Sequence, residues 1–313
     1  MNDVTVPEYT HRTVLLDEAI DALEIRDARR DGIFVDGTFG RGGHSKKILG
    51  QLSAQGRLLA FDKDTQAVAV AEQFAAGDQR FSIVHDSFAT MEEALSSRGV
   101  AQVDGVLMDL GLSSPQVDQA ARGFSFRADG PLDMRMGPSA SMTAAELLNS
   151  YSAAELQRIL GMYGEVKNAR TLAQAIIQAR TRKPLETTQE FKEILNKLAP
   201  KHREFKYFAQ VFQAIRIEVN QELAVIEEFL VQSPAVLKPE GRLVIMSFHS
   251  LEDRLVKNFI KAGNVQGKED KDLYGVVHRP LESVIRKPIT ASEEELKLNP
   301  RSRSAKLRIA SKL

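Results

Sequence analysis

Cysteine and tryptophan are absent from this chain of 313 residues. Without cysteine the protein has no disulfide, no thiolate nucleophile and no cysteine-based zinc site. The six histidines are scattered without a metal-binding spacing, so we expect no metal site. No apolar run approaches the length of a bilayer-spanning helix, and residues 1–10 carry acids rather than a hydrophobic leader. We therefore expect a cytoplasmic protein without membrane contact.

The formal net charge is zero, but the charged residues are unevenly distributed. Residues 1–112 carry 11 Lys and Arg against 18 Asp and Glu, whereas residues 254–313 carry 14 against 7. A basic segment fits contact with an anionic polymer, although solvated surface helices produce similar imbalances. The distribution is weak support for a nucleic-acid partner.

Short apolar runs alternate with helical stretches along the chain. Strands that alternate with helices predict an α/β fold with a mostly parallel sheet. The tail at residues 305–309 alternates as an edge or hairpin strand would, so we expect one antiparallel C-terminal strand. The five predicted parallel strands cover residues 33–35, 57–61, 81–84, 103–108 and 242–246.

The long segment between the fourth and fifth strands predicts an insertion. It begins with a stretch rich in Gly, Pro, Ser and Arg, which we interpret as an ordered loop, and continues with helices, two of them opened by capping-box patterns. A long amphipathic helix over 208–230, stopped by Pro234, then returns to the core. We predict a discontinuous domain of residues 1–112 and 208–313, interrupted by an inserted loop and helical domain of residues 113–207.

A glycine-rich turn, Asp-Gly-Thr-Phe-Gly-Arg-Gly-Gly-His-Ser at residues 36–45, follows the first strand. Glycines let a ligand approach the main chain closely at the mouth of a parallel sheet. The second strand ends in Asp62, whose carboxylate suits two ribose hydroxyls. The turn matches neither the dinucleotide nor the P-loop pattern, so S-adenosylmethionine, which has a ribose but no phosphate, is the better ligand. The alternative is that these glycines only make a tight turn.

Two other strands also end in polar residues. Asp109 closes the fourth strand, where a polar acceptor can turn an exocyclic amine towards a methyl donor; the alternative is a strand-end cap. After the fifth strand, Phe248 and His249 are candidates for stacking on a flipped base. Ser250 is expected to cap the helix that follows.

The loop at residues 123–136 interleaves aromatics, arginines and glycines. This composition suits single-stranded RNA, with Arg127 and Arg135 as candidate contacts, but the same residues equally suit pinning a long loop to its own domain.

Taken together, the motifs resemble one family, the bacterial small-subunit (16S) ribosomal RNA cytosine-N4 methyltransferases. The resemblance covers nearly the whole chain, through several motifs in the right order. Two departures are Glu240, where glycine is usual, and Gln210, near which many members carry an arginine. The matching stretches are residues 11–18, 36–45, 109–116, 123–126, 130–136, 212–217, 247–254 and 299–304.

The resemblance implies a Rossmann-like methyltransferase sheet, S-adenosylmethionine as cofactor and a cytidine in the decoding region as target. We expect the enzyme to meet this RNA within the assembled small subunit. Beside the cofactor contact that the resemblance implies for Asp109, we hypothesise that Asp109 or a neighbouring polar group has the catalytic role of orienting the target amine. By motif, the implied cofactor contacts are Gly42, Gly43, His44, Asp62, Phe88, Asp109 and Gln116.

The missing cysteine independently disfavours methylation of a pyrimidine at carbon 5, which commonly needs a thiolate, whereas an exocyclic amine does not. Two other hypotheses stay open from the residues. One is an amine methyltransferase that acts on DNA or protein, and the other is a non-catalytic ribosome assembly factor.

Overall fold

The computed structural model describes residues 13–313, and one seven-stranded sheet runs through it. The spatial order is β3-β2-β1-β4-β5-β7-β6; the first five pair in parallel, and β7 pairs antiparallel with both β5 and β6. The predicted α/β fold with an antiparallel tail is confirmed. The strands are β1 Ile33–Asp36, β2 Arg57–Phe61, β3 Phe81–Val84, β4 Val103–Asp109, β5 Leu237–Ser247, β6 Leu281–Ser283 and β7 Lys306–Lys312.

Helices surround the sheet and form a separate group beside it. None of those described is both long and apolar enough to cross a membrane. In chain order they are α1 Leu16–Ala22, α2 Gly43–Gln51, α3 Thr65–Gly77, α4 Met91–Ser96, α5 Ser114–Asp118, α6 Ala144–Ser150, α7 Ala153–Met162, α8 Ala169–Arg180, α9 Thr188–Leu198, α10 Glu204–Asn220, α11 Glu222–Val236, α12 Ser250–Ala262 and α13 Glu293–Leu298.

The sheet is buried on both faces, as parallel sheets require. Successive residues of β1 point to opposite sides: Phe34 packs with α1, α2 and α3, whereas Val35 packs with α4, α11 and α12. Because both faces are apolar, the strands read as continuous hydrophobic runs, which is why they were predictable from the sequence.

A third apolar cluster joins α6 to α10 with the loop that precedes them. The capping boxes at Thr143–Glu146 and Ser152–Glu155 are confirmed, each with reciprocal side-chain and backbone hydrogen bonds. Part of the predicted loop is helical, since α5 begins with a third box formed by Ser113 and Gln116. Helix α10 packs within this helical cluster along its length from Tyr207 to Val219. The division of the chain into domains stays a prediction.

The single helix predicted over residues 208–230 is wrong. The structure has two helices, α10 and α11, separated by Gln221 in the left-handed conformation with φ 50°. Pro234 does not stop the second helix but lies inside its last turn. Proline provides no N–H for the carbonyl of Leu230, and the Ser233 hydroxyl donates to that carbonyl instead, at 2.9 Å. This substitute bond lets the helix continue to Val236.

The fifth strand begins five residues earlier than predicted and contains a bulge. Val103 of β4 pairs with Leu237, but Gly105 pairs with Arg242, so the residues between are looped out of the ladder. Within them, Glu240 adopts φ 62°, the region that favours glycine, and its side chain is exposed. Where glycine is usual in the family that the chain resembles, this protein therefore has a glutamate in a strained backbone conformation.

Replacing Glu240 with Gly should raise the free energy of unfolding by about 1 kcal/mol, because a left-handed conformation costs a residue with a Cβ roughly that much. Denaturant unfolding checks this value. Glu282→Gly, in the extended strand β6, is the matched control and should destabilise the protein. A loss of stability in both variants would contradict the assignment of strain to Glu240.

Candidate active site at the carboxyl edge of the sheet

One cavity of about 1030 Å³ lies where all five parallel strands end. Its walls include the residues that follow each strand: Gly37, Asp62, Phe88, Asp109 and Phe248. This edge is where ligands bind in open α/β sheets, and the volume reaches the upper end of small-molecule sites. The cavity has room for a cofactor together with part of a second molecule.

The structure brings most of the predicted site residues together at this cavity. The predicted residues that do not line it are Gly42, Arg127, Arg135 and His249. Arg127 is exposed on its loop, and the guanidinium of Arg135 pairs with Asp133 at 2.8 Å. The roles of all these residues stay predictions. The predicted residues that line the cavity are Gly43, His44, Asp62, Phe88, Asp109, Gln116 and Phe248.

The glycines of the turn serve packing as well as access. A Cβ added to Gly43 would overlap Thr13 Oγ1, and one added to Gly42 would approach Cζ of Phe39 to 2.8 Å. Gly42 also has φ 76°, which a residue with a Cβ rarely adopts. Neighbouring side chains therefore require glycine at both positions, in keeping with the alternative that these glycines make a tight turn.

Asp62 follows β2 with its carboxylate held in place by two backbone amides. Oδ2 accepts from Gly40 N at 2.8 Å, and Oδ1 accepts from Asp64 N at 2.9 Å. Burial raises the pKa of this carboxyl, and the two amides oppose the shift. Each oxygen keeps a further lone pair, so the group can still accept two hydroxyl donors from a ligand.

Asp109 is a carboxyl group of the cavity whose pKa is strongly raised. Its backbone N–H donates to Thr38 Oγ1 at 2.6 Å, which ties the end of β4 to the turn after β1. The side chain is 27% exposed, yet Oδ1 is buried without a hydrogen-bond partner in the described part of the chain, and Oδ2 lies 3.8 Å from His44 Nδ1. Burial, with the negative charges of Asp36 and Glu252, raises the pKa of Asp109 to about 8.

Asp36, the last residue of β1, is a fully buried acid near Asp109. Its Oδ2 accepts from the Ser45 hydroxyl at 2.6 Å and its Oδ1 from Thr38 N at 3.1 Å. Burial raises its pKa to about 6 despite these hydrogen bonds. Asp36 therefore shapes the turn, and its charge opposes ionisation of Asp109.

Gln116 is engaged at both ends of its amide. Its oxygen accepts from Ser113 N at 3.0 Å, and its nitrogen donates to Asp64 Oδ2 at 2.8 Å. The same oxygen of Asp64 pairs with Arg122 at 2.8 Å, while its other oxygen caps α3. Asp64 was not predicted from the sequence, although an acid directly before a predicted helix is a usable capping signal.

The far wall of the cavity is a network of buried charges. Arg216 makes a two-point contact with Glu222, at 2.7 and 2.8 Å. Glu252 is 1% exposed, and its Oε2 accepts from Phe248 N at 2.8 Å and His249 N at 3.2 Å. Arg216 and Glu222 were not predicted from the sequence, because only the folded chain shows that they face the cavity.

The cap of α12 differs from the prediction. The N-cap is His249 rather than Ser250, and Glu252 is its partner in a capping box. Burial opposes the charge of Glu252, but His249, Arg216 and the Phe248 amide together lower its pKa. Glu252 therefore does more than begin the helix: it accepts from the backbone of the loop that carries Phe248 and fixes that loop.

One group in the described part of the chain has metal-like spacing: Glu222, His249 and Glu252 offer ligand atoms within 4.8 Å of one another. Two features oppose a cation there. Arg216 occupies both oxygens of Glu222, and Nδ1 of His249 accepts from the Glu252 amide at 3.4 Å, which leaves the ring proton on Nε2.

The charges on the cavity wall favour a cationic or neutral ligand over a polyphosphate. Seven acidic side chains line it against four cations, and one of the seven, Asp109, has a pKa of about 8. Arg216 pairs with Glu222 and Arg301 with Asp118, and acidic side chains remain in excess among the others. A positively charged sulfonium would be attracted to such a wall, whereas phosphate groups would be repelled.

Comparison with known proteins gives a consistent result. The model of the MraW methylase family matches residues 8–313. The protein named ribosomal RNA small subunit methyltransferase H from Janthinobacterium sp. (strain Marseille) is 50% identical over 316 residues, which cover 100% of this chain and 98% of that one. The protein of the same name from Cytophaga hutchinsonii is 50% identical over 300 residues, with 96% and 98% covered.

Among solved structures, a putative rRNA-methylase from Clostridium thermocellum aligns with a TM-score of 0.44 at 12% identity, over 97% of this chain and 100% of that one. Similarity at this level supports no argument about function.

Asp109→Asn should change how stability depends on pH. The folded-state pKa is raised, so the folded chain keeps a proton that the unfolded chain loses, and the stability of the wild type falls as pH rises from about 4 to about 8. Melting temperatures measured across this window should therefore favour the variant increasingly as pH rises. An offset between the two proteins that stays constant with pH would contradict the shift.

Asp253→Asn is a control, because the pKa of Asp253 is lowered whereas that of Asp109 is raised, so stability should depend on pH in the opposite direction. Burial opposes ionisation of Asp253, but hydrogen bonds from Arg308 and Lys306 lower its pKa. Its contribution to stability is present above the usual pKa and is lost as pH falls. The variant should therefore be destabilised at neutral pH and approach the wild type in acid.

Proposed function

The chain belongs to the MraW methylase family, and from that membership we infer that it methylates the N4 amine of a cytidine in small-subunit ribosomal RNA. The full-length match to curated relatives at about 50% identity carries this inference. The carboxylate-lined cavity at the end of the parallel sheet supports it, because that is where donor and acceptor must meet.

S-adenosylmethionine is the cofactor, and it supplies an electrophilic methyl group on a positively charged sulfur. The residues fit it: Asp62 retains acceptor capacity for the ribose hydroxyls, and the excess of carboxylates suits the sulfonium. We propose that Phe88 lies against the adenine. Its ring is held edge-on by Phe229, with centroids 5.7 Å apart, so the contact surface is fixed before binding.

We assign Asp109 the task of orienting the amine. The N4 lone pair of cytosine is delocalised into the ring, and a carboxylate that accepts an N–H can turn it towards the methyl group. Asp109 holds a proton at neutral pH when no cation is beside it, because its pKa is about 8. A positive charge in the cavity favours the ionised form, so Asp109 becomes an acceptor when the donor is present.

The raised pKa of Asp109 also suits it to accept the proton that the methylated amine must lose. As the carbon–nitrogen bond forms and the carbon–sulfur electron pair stays with sulfur, the amine becomes positively charged and must lose a proton. A carboxylate whose pKa is about 8 takes that proton more readily than an ordinary one. No metal ion is required for this transfer.

The finer details of the substrate rest on the family resemblance. We propose that the target lies in the decoding region and is reached within the assembled small subunit, which places the chain in the cytoplasm. We also propose that residues 113–207 form the inserted domain that holds the RNA, with residues 1–112 and 208–313 as the methyltransferase domain.

The function is tested with labelled S-adenosylmethionine and three substrates: small ribosomal subunits, free small-subunit RNA and duplex DNA. We expect label in the first or second only, and mass mapping of nucleosides should identify N4-methylcytidine. Label in DNA would support the alternative amine methyltransferase. Bound cofactor with no product on any ribosomal substrate would support a non-catalytic assembly factor.

Asp109→Asn should lower the single-turnover rate on enzyme saturated with cofactor and RNA by about 10²- to 10⁴-fold, the usual contribution of a positioned acid or base. Asp118→Asn, which alters another carboxylate of the cavity wall, is the matched control and should retain the rate. An unchanged rate in Asp109→Asn would restrict this residue to cofactor binding.

A further inference from the structure

One surface of the helical cluster combines one exposed and one half-buried aromatic ring with cations that have no acidic partner among residues 13–313. We call it the aromatic–basic surface. It lies at the start of α10 and on the loop before α6, outside the cavity. It consists of Phe126, Arg127, Lys201, Arg203, Phe205 and Lys206.

The aromatic part is a supported platform. Phe205 is 73% exposed, and its ring centroid lies 6.3 Å from that of Phe126. Phe126 is itself anchored edge-on against Phe208 and Phe212, at 5.6 and 5.5 Å. Phe126 therefore supports the ring of Phe205, although most of the Phe205 side chain faces solvent. Burial in the core does not account for a phenylalanine in this position.

The cations on this surface are available for a partner. All four side chains are exposed, and none forms an ion pair within residues 13–313. By contrast, Arg158 and Lys183 of the same helical cluster pair with Glu218 and Glu190. The nearby Glu204 is only half-buried, but its carboxylate already accepts from His202 N at 3.0 Å. The surface therefore carries net positive charge.

Helix α10 connects this surface to the cavity. Phe205, Phe208, Phe212 and Arg216 are spaced by three or four residues, so they follow one face of the helix. Eleven residues separate the first from the last, which corresponds to about 16 Å along the axis. Arg216 lines the cavity wall. A strand that contacts Phe205 is thus only a few nucleotides from a base in the cavity.

We propose that the aromatic–basic surface binds the single-stranded RNA next to the target cytidine, with a base stacked on Phe205 and phosphates contacted by the four cations. This inference rests on the proposed function and adds the path of the strand. Exposed rings interleaved with unpaired cations are the features that single-stranded nucleic acid recognises. A protein partner would more typically bury an apolar patch depleted of lysine.

The first test compares Phe205→Ala with Phe205→Trp, which keeps a stacking ring. Loss of one stacked base should weaken affinity for small-subunit RNA about 5- to 100-fold in the alanine variant, and tryptophan should restore it. Because the platform is remote from the reacting atoms, KM for RNA should rise while kcat stays unchanged. Tyr274→Ala removes an aromatic ring that is 91% exposed elsewhere and should leave both parameters unchanged.

The second test addresses the cations. The double variant Arg203→Ala/Lys206→Ala should reduce the slope of log affinity against log salt by about 1.4, since each lost phosphate contact on a single strand contributes about 0.7. Melting temperature and S-adenosylmethionine affinity, measured on the same variants, should match the wild type.

The outcomes separate this inference from the proposed function. If the wild type methylates small-subunit RNA but Phe205→Ala binds and turns over that RNA equally well, the surface is not the RNA path and only this inference is overturned. If Phe205→Ala binds free RNA normally but loses affinity for complete subunits, the surface contacts a protein and the inference is also overturned. If the wild type transfers no methyl group to any small-subunit RNA, the proposed function itself fails.

Discussion

A partly buried carboxyl group at the end of β4 is the constraint on which the site depends. Asp109 cannot move away from the cavity wall, because its backbone amide is tied to Thr38 and its strand lies between β1 and β5. Its charge is opposed by burial, by Asp36 and by Glu252. A positive charge beside such an acid favours its ionised form, and we propose that cofactor binding prepares Asp109 as an acceptor in this way.

Other side chains of the cavity form the surroundings of Asp109. The two backbone amides on Asp62 direct its free lone pairs into the cavity, and Glu252 fixes the loop that carries Phe248. Arg216 connects this wall to α10, whose other end carries the aromatic–basic surface. Helix α10 therefore runs from the surface proposed to bind RNA to the wall of the cavity.

Much of the fold was predictable from local patterns, and the exceptions depend on long-range contacts. The predicted strand 57–61 coincides with β2 because burial on both faces leaves an uninterrupted apolar run. The break at Gln221 was not predictable, since the neighbouring Asn220 is held by Met134 O and Met136 N, more than eighty residues away. Likewise, strand ends indicated Asp62 and Asp109, whereas Arg216 and Glu222 acquire their place only through the packing of α10 and α11.

Calorimetry of S-adenosylmethionine binding at pH 7, in buffers of different ionisation enthalpy, tests the coupling at Asp109 most directly. The account predicts release of about one proton on binding, because a group with a pKa near 8 is mostly protonated at pH 7 and ionises beside a sulfonium. S-adenosylhomocysteine, whose sulfur is neutral, should release almost none, and Asp109→Asn should abolish the release. Equal proton release with both ligands, or none with either, would contradict the account.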